Sequence, residues 1–241
     1  MAVQSLGGKV ALVTGGSRGI GLAIARALVA DGVRVAITSR SAAHLSAARP
    51  SIEAAGPGSV ETLQADVREY DQIHGAVEAV VARFGALHIL VNNAGIGIFT
   101  DVASMTPGQW AEVLDTNLTG AFNACHAALP HMRGRGGAFI INISSLAGAN
   151  PFAGAAAYCA SKAGLNAFSE ALMQEVRYDD VRVSCVMPGS VSTAFSSGDA
   201  AKGADWKIRP EEVADVVLNL LRHDPRSLPS RVELRPSKPR K

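Results

Sequence analysis

The chain is poor in aromatic residues, in charge and in cysteine, and each shortage removes a class of protein. Aromatic residues make up 5% and charged residues 18% of the 241 positions, with a formal net charge of +2. A nucleic-acid-binding domain shows a basic face, whereas the cations here are scattered except in the terminal run "RPSKPRK", Arg235 to Lys241. Nucleic acid is therefore not expected as a partner, and positions 236–241 read as a solvated, flexible basic end. Cys125, Cys159 and Cys185 lie among apolar neighbours without metal-ligand spacing, which suits buried reduced thiols. Six histidines include no HxxxH pair, and His126 and His131, five apart, would point in different directions on a helix. No metal site is expected. No stretch approaches the roughly 20 apolar residues of a membrane span, and "MAVQSLGGKV" lacks a charged region followed by an apolar run. The expectation is a soluble cytoplasmic protein with no membrane partner.

What the chain does have is 48% apolar residues and 24 glycines, enough for one large core. Short Val/Ile-rich runs alternate with longer alanine-rich segments of helical period: "KVALVTG" then Ile20 to Ala30, "VRVAITS" then Ser41 to Ala55, "VETLQADV" then Tyr70 to Phe84, and "LHILVNNAG" then Pro107 to Met132. "AFIINISS", Ala155 to Val176, "VRVSCVMPG", Pro210 to Leu221 and "RVELRP" follow. Strands apolar on both faces, each followed by a helix, build a parallel sheet covered on both sides. The pattern predicts an α/β fold, a doubly wound parallel sheet of about seven strands in a single domain over 1–241. Gly32 can end the first helix in a left-handed turn, and Thr106-Pro107 with Gln109 reads as a capping box. Pro50 should kink the helix of Ser41 to Ala55 or force it to restart.

Directly after the first strand, "TGGSRGIG" opens onto a helix. Gly15, Gly19 and Gly21, with Ser17, Arg18 and Ile20 between them, suit a chain that turns sharply and presents backbone amides and a helix N-terminus to a pyrophosphate. A dinucleotide is the implied cofactor, although the Gly-x-x-x-Gly-x-Gly spacing departs from the commoner G-x-G-x-x-G. At the end of the second strand an acidic residue would bind the free 2′-hydroxyl of NAD. The sequence there is "AITSRS", with Ser39 and Arg40 and no acid, and Arg18 can approach the same corner. Guanidinium groups match phosphate well, so NADP(H) is expected and NAD(H) is the alternative. Asp66 and Val67 either line an adenine ring or, for Asp66, cap the next loop. In "NNAG", Asn92 to Gly95, the amides Asn92 and Asn93 either tie strand ends together or, with Ala94 and Gly95, touch the cofactor.

Ligands of such sheets bind beyond the carboxyl ends of the strands. The fifth strand ends in Ser144 and Ser145, and thirteen residues after Ser145 comes Tyr158 in "YCASKAG", with Lys162 a helical turn further on. Asn117, polar amid apolar neighbours in "LDTNLTG", can face the same mouth. A phenol has a pKa of about 10. A cation about 4 Å away is worth roughly 1 kcal/mol in water but about 4 kcal/mol at an effective dielectric of 20. The pair therefore works as an acid/base device only in a partly desolvated cleft.

Taken together, "TGGSRGIG", "NNAG", Asn117, Ser145, "YCASK" and "PGSVST" resemble the short-chain dehydrogenase/reductase family from about Leu6 to Leu234. The resemblance implies a Rossmann-type sheet, NAD or NADP as cofactor, and interconversion of a small-molecule alcohol and carbonyl compound. It implies Tyr158 as general acid/base, Lys162 as ribose ligand and depressor of the tyrosine pKa, Ser145 as holder of the substrate oxygen and Asn117 as support for a water relay. It further implies that in "PGSVST" the backbone near Val191 and the hydroxyl of Thr193 grip the nicotinamide carboxamide, with Pro188 and Gly189 also against the cofactor, and that the chain forms a homo-oligomer, a tetramer or dimer. The general likeness is nearest the 3-oxoacyl-carrier-protein reductase type, although "RVELRPSKPRK" lacks the glycine pair that commonly follows the last strand there. Around the mouth, Ile96 to Ser104, Leu146 to Gly154 and Ser190 to Ile208 carry Phe99, Phe152, Phe195 and Trp206 and few charges, which suits an apolar or amphipathic carbonyl compound. The last of these segments reads as a mobile lid.

Overall fold

Val10–Thr14 (β1) is buried at every position and apolar up to Thr14, which suits the middle of a sheet covered on both faces. The computed structural model describes residues 5–193, 195 and 205–239. After β1 come Gly19–Ala30 (α1), Arg34–Ser39 (β2), Ala42–Glu53 (α2), Ser59–Gln64 (β3), Tyr70–Phe84 (α3) and Ile89–Asn92 (β4). Pro107–Leu114 (α4), Gly120–Met132 (α5), Ala138–Ile143 (β5), Ala156–Val176 (α6), Val181–Pro188 (β6), Pro210–Leu221 (α7) and Arg231–Leu234 (β7) complete the fold. The seven strands form one sheet in the order β3-β2-β1-β4-β5-β6-β7, and every pairing is parallel. The chain winds outward from β1 to β3, then returns to lay β4 on the other side of β1. The two halves diverge there, leaving a crevice beyond the ends of β1 and β4.

Alternation along the strands feeds two cores. Val13 and Ile141 pack with Ile24 and Leu28 of α1, Leu45 of α2 and Val217 of α7 on one face. Leu12 and Ile140 pack with Ile73 of α3, Ala128 of α5 and Leu172 of α6 on the other. Gly32 follows α1 with φ +78°, the left-handed turn expected of it. Thr106 and Gln109 form the expected capping box at the start of α4.

Three expectations are changed. The helix expected over Pro107 to Met132 is divided by a π-helical turn, Asp115–Thr119, which contains Asn117. Of the two outcomes expected at Pro50, a kink or a restart, the restart does not occur: helix α2 runs through Pro50, which falls in its last turn, where few later bonds depend on it. The basic end does not leave the body at once: Pro236 Cδ lies 3.0 Å from where a Cβ on Gly189 would stand, while Ser237 to Pro239 are exposed. Positions 240–241 and most of the expected lid, 194 and 196–204, lie outside the described residues.

Buried amides lace the sheet to its helices. Asn92 Nδ2 donates to Asn142 Oδ1 at 2.8 Å and to Cys125 Sγ at 3.2 Å, and Asn142 Nδ2 donates to Ser169 Oγ at 2.8 Å. An Asn142→Ala variant removes the central member and leaves Asn92 Nδ2 with only Cys125 Sγ and Ser169 Oγ with only Leu165 O, at about 0.5–1.5 kcal/mol for each hydrogen bond lost. Urea unfolding should show a lower midpoint at unchanged slope.

Candidate active site

At the end of β1, Thr14 Oγ1 accepts from the backbone N–H groups of Asn93 at 3.0 Å and Ala94 at 3.1 Å. The Asn93 amide returns two hydrogen bonds, to the carbonyls of Thr14 and Gly15, both at 3.0 Å. These bonds clamp the glycine loop to the end of β4, so closely that a Cβ on Gly15 would lie 2.9 Å from Ala94 Cα. Gly21 sits beneath, where a Cβ would collide with Asn93 Nδ2 and the Gly15 carbonyl. Arg18, extended at the N-cap of α1, makes no side-chain cap, and the first turn holds no acidic residue. The positive end of α1 is therefore open toward an anion.

Above the loop lies a cleft of about 1150 Å³. Of the cofactor residues expected from sequence, all line it except Gly21: Gly15, Ser17, Arg18, Gly19, Ile20, Ser39, Arg40, Asp66, Val67, Asn93, Ala94, Gly95, Pro188, Gly189, Val191 and Thr193. Ser145, Tyr158 and Lys162 line the same space, and Asn117 does not. Thr193 Cγ2 comes within 3.3 Å of a Cβ placed on Gly19, so Thr193, after β6, packs against the glycine loop. Asn92 is buried in the amide lacing, while Asn93 both ties the loop and reaches the cleft. Asp66 lines the cleft, and its carboxylate caps the next loop by accepting from the Arg68 backbone N–H at 3.0 Å while the Arg68 guanidinium clasps it at 2.6 Å. Burial alone would raise the Asp66 pKa, but the hydrogen bonds from Arg68 outweigh it and hold the carboxyl below its ordinary value.

Thr38, Thr116, Ser41 and His44 also line the cleft and were not singled out in the sequence as site residues. Thr38 Oγ1 and Thr116 Oγ1 are buried with no hydrogen-bond partner among the described residues. A polar residue closing the apolar run "AITS" was the available signal for Thr38. The open helix end, the close-packed glycines and these two unpaired hydroxyls fit a polar, phosphate-bearing ligand laid across the strand ends. At the 2′ corner, no acid ends β2, but Glu112 of α4 approaches both Arg40 and Arg68 at 3.9 Å.

The reacting end is built from α6, the end of β5 and the π turn. Asn117 Oδ1 accepts from Ile96 N–H at 2.8 Å, and its Nδ2 donates to Ile96 O at 2.9 Å and Ser161 Oγ at 3.0 Å. The wide turn thus aims a buried amide at the loop after β4, and its side chain is fully engaged there. Ser144 Oγ donates to Asn166 Oδ1 at 2.6 Å and helps lock α6 to β5, whereas Ser145 is half-buried at the mouth. Lys162 is buried at 4% exposure, and its Nζ donates to Ile143 O at 2.9 Å. Burial lowers its pKa to about 8, partly opposed by Cys185.

Tyr158 differs from expectation. Its pKa is raised, chiefly by burial, with Ser145 working in the opposite direction. Lys162 Nζ stands 5.9 Å from the phenol ring centroid and donates to Ile143 O, and no lowering by this cation offsets the burial of the phenol.

The chain belongs to the short-chain dehydrogenase/reductase family: the family model for short chain dehydrogenases matches residues 9–202. It is 40% identical over 227 residues to an acetoacetyl-CoA reductase of Paracoccus denitrificans, covering 90% of this chain and 91% of that one. It is 38% identical over 192 residues to the 3-oxoacyl-[acyl-carrier-protein] reductase FabG of Chlamydia muridarum, covering 79% and 77%. A metagenomic short-chain oxidoreductase crystallised in complex with NADP superposes with a TM-score of 0.85 at 40% identity, over 98% of this chain and 100% of that one. The chain is accordingly an oxidoreductase that acts on an alcohol or carbonyl group with a nicotinamide dinucleotide. Among the described residues no helix is long and apolar enough to cross a membrane, and no cluster of ligands could hold a metal.

The depressed Lys162 pKa carries a sign. Below pH 8 the lysine is protonated in folded and unfolded chains alike, and the cost of burying its charge is present in full. From about 8 to 10.5 the folded lysine has lost its proton while the unfolded one keeps it, so stability rises with pH. Urea unfolding of wild type and Lys162→Met across that window should show the difference between them moving in favour of wild type as pH rises.

Proposed function

We propose that this chain is an NADP(H)-dependent carbonyl reductase in which Tyr158 is the general acid, running in reverse as an alcohol dehydrogenase. The observation that carries the reading is the meeting of Tyr158, Ser145 and Lys162 in the cleft that also holds the glycine loop. A bound nicotinamide dinucleotide supplies the hydride. Tyr158 gives its phenolic proton to the carbonyl oxygen, and burial favours that protonated form. Ser145, half-buried beside the phenol, donates to the oxygen as negative charge develops on it. Lys162 presents its ammonium from a fixed seat on the Ile143 carbonyl, at the point where a ribose would lie. Asn117 positions rather than reacts: it holds Ile96 and Ser161 on either side of the site.

Arg18, Ser39 and Arg40, with no acid ending β2, support NADP(H) over NAD(H). The 40% and 38% identities to reductases of 3-oxoacyl thioesters support a ketone or 3-oxoacyl-like substrate. Assembly as a homo-oligomer is part of the same proposal.

A panel of ketones and 3-oxoacyl thioesters followed by NADPH absorbance tests the reading. Tyr158→Phe should lower kcat by about 10²–10⁴-fold while NADPH still binds; turnover unaffected by that change would remove Tyr158 as the acid. Ser39→Asp and Arg40→Ala should each shift the NADPH:NADH ratio of kcat/KM toward NADH. An unchanged ratio in both variants would refute the NADP(H) assignment.

A further inference from the structure

Three of the large apolar side chains left exposed, Phe99, Phe152 and Phe195, at 45%, 55% and 42% exposure, cluster at the Tyr158 ring, the first and last against it and Phe152 behind Phe99. They come from the loops after β4, β5 and β6, far apart in sequence. The Phe99 ring meets Tyr158 edge-on, with centroids 5.6 Å apart and planes at 62°. Phe195 lies 5.7 Å from the Tyr158 ring at 56°, and Phe152 stacks on Phe99 at 6.4 Å and 23°. Gly97 is what allows the first two to converge. A Cβ there would fall 2.8 Å from Phe99 Cε2 and Cζ and 2.9 Å from Phe195 Cε1. The three phenyl groups and Tyr158 all line the cleft, and its one described acidic residue, Asp66, is at the far end with its charge clasped by Arg68.

Apolar surface held open to water around a reacting group marks a binding face. Tilted and edge-on rings favour a further aromatic ring beyond what burial of area alone provides, whereas a linear acyl chain gains area only. We propose that Gly97, Phe99, Phe152 and Phe195 form an aromatic clamp that seats an aryl group beside the carbonyl, so that aryl ketones are the preferred substrate class. The proposal rests on the carbonyl-reductase reading for its chemistry and on the rings for its specificity.

The test compares kcat/KM for 1-phenylethanone, 2-butanone and acetoacetyl-CoA in wild type, Gly97→Ala, Phe99→Leu and Phe195→Leu. Wild type should prefer 1-phenylethanone to both others by tenfold or more. Each substitution should lower the aryl-to-alkyl ratio by about three- to tenfold. Calorimetric binding of 1-phenylethanol to NADP-loaded Tyr158→Phe enzyme, alone and with each clamp substitution, should show Kd rising by a similar factor without any need for turnover. Turnover with an unchanged ratio and unchanged Kd, or a wild type that prefers acetoacetyl-CoA, overturns the clamp and leaves the reductase. Clamp-dependent binding with no turnover of any carbonyl keeps the clamp and overturns the reductase.

Discussion

The Thr14 hydroxyl joins the two halves of the sheet at the point where they diverge, and the order of the site depends on that join. It accepts from Asn93 and Ala94, while the Asn93 amide reaches back to the Thr14 and Gly15 carbonyls. The glycine loop and the end of β4 thereby become one rigid lip. From Ile96, three residues on, the tie passes to Asn117 in the π turn and from there to Ser161 of α6. Helix α6 is in turn held to the end of β5 by Ser144 on Asn166 and by Lys162 on Ile143. Groups drawn from five segments of chain are thus set by short bonds between strand ends and helices rather than by loops. Most of these atoms are buried, so each bond left unmade would cost more than its formation contributes.

Burial, more than charge, governs the two titrating groups at the centre. It raises Tyr158 and lowers Lys162, in each case toward the neutral form. If Tyr158 is the acid proposed above, the raised value keeps its proton on the ring until an oxygen is there to take it. The lysine resists the same pressure through its bond to Ile143 and the nearby Cys185. The expectation that the lysine would depress the phenol assumed a separation of about 4 Å in a cleft. Helical spacing brought the side chains near each other, but the ammonium turns aside to a carbonyl that no sequence pattern announces.

The strands, the helix ends and the cleft-lining residues were legible because they follow from local rules: period, capping, and polar groups at strand ends. The π turn was not. Its residues continue the helical pattern of apolar positions, and the extra width shows only in backbone bonding, with Gly120 N–H reaching Asp115 O. Thr38 and Thr116 were missed because a threonine closing an apolar run, or standing between Asp115 and Asn117, is ordinary, and burial without a partner marks them more clearly. Phe99, Phe152 and Phe195 were legible as residues of the mouth but not as a group. Their meeting depends on three loops and on the missing side chain of Gly97.

On the NADP(H) reading, the corner at the end of β2 shows how a competing contact can leave a recognition site usable. Arg40 rests 3.9 Å from Glu112, and the side chains are 48% and 40% exposed. A solvent-exposed pair of that kind is worth about 0–1 kcal/mol, whereas a hydrogen bond between charged groups is worth about 1.5–3 kcal/mol. On the NADP(H) reading a 2′-phosphate therefore draws the guanidinium from Glu112 at little cost. Arg68 behaves differently, because its bidentate hold on Asp66 is shorter and less exposed, at 2.6 Å with 32% and 14% exposure. Two arginines near the same glutamate thus divide their tasks: Arg68 fixes the loop after β3, and Arg40 is left available to the ligand. The carboxylate of Glu112, equidistant from both, limits the positive charge of that corner without committing either cation.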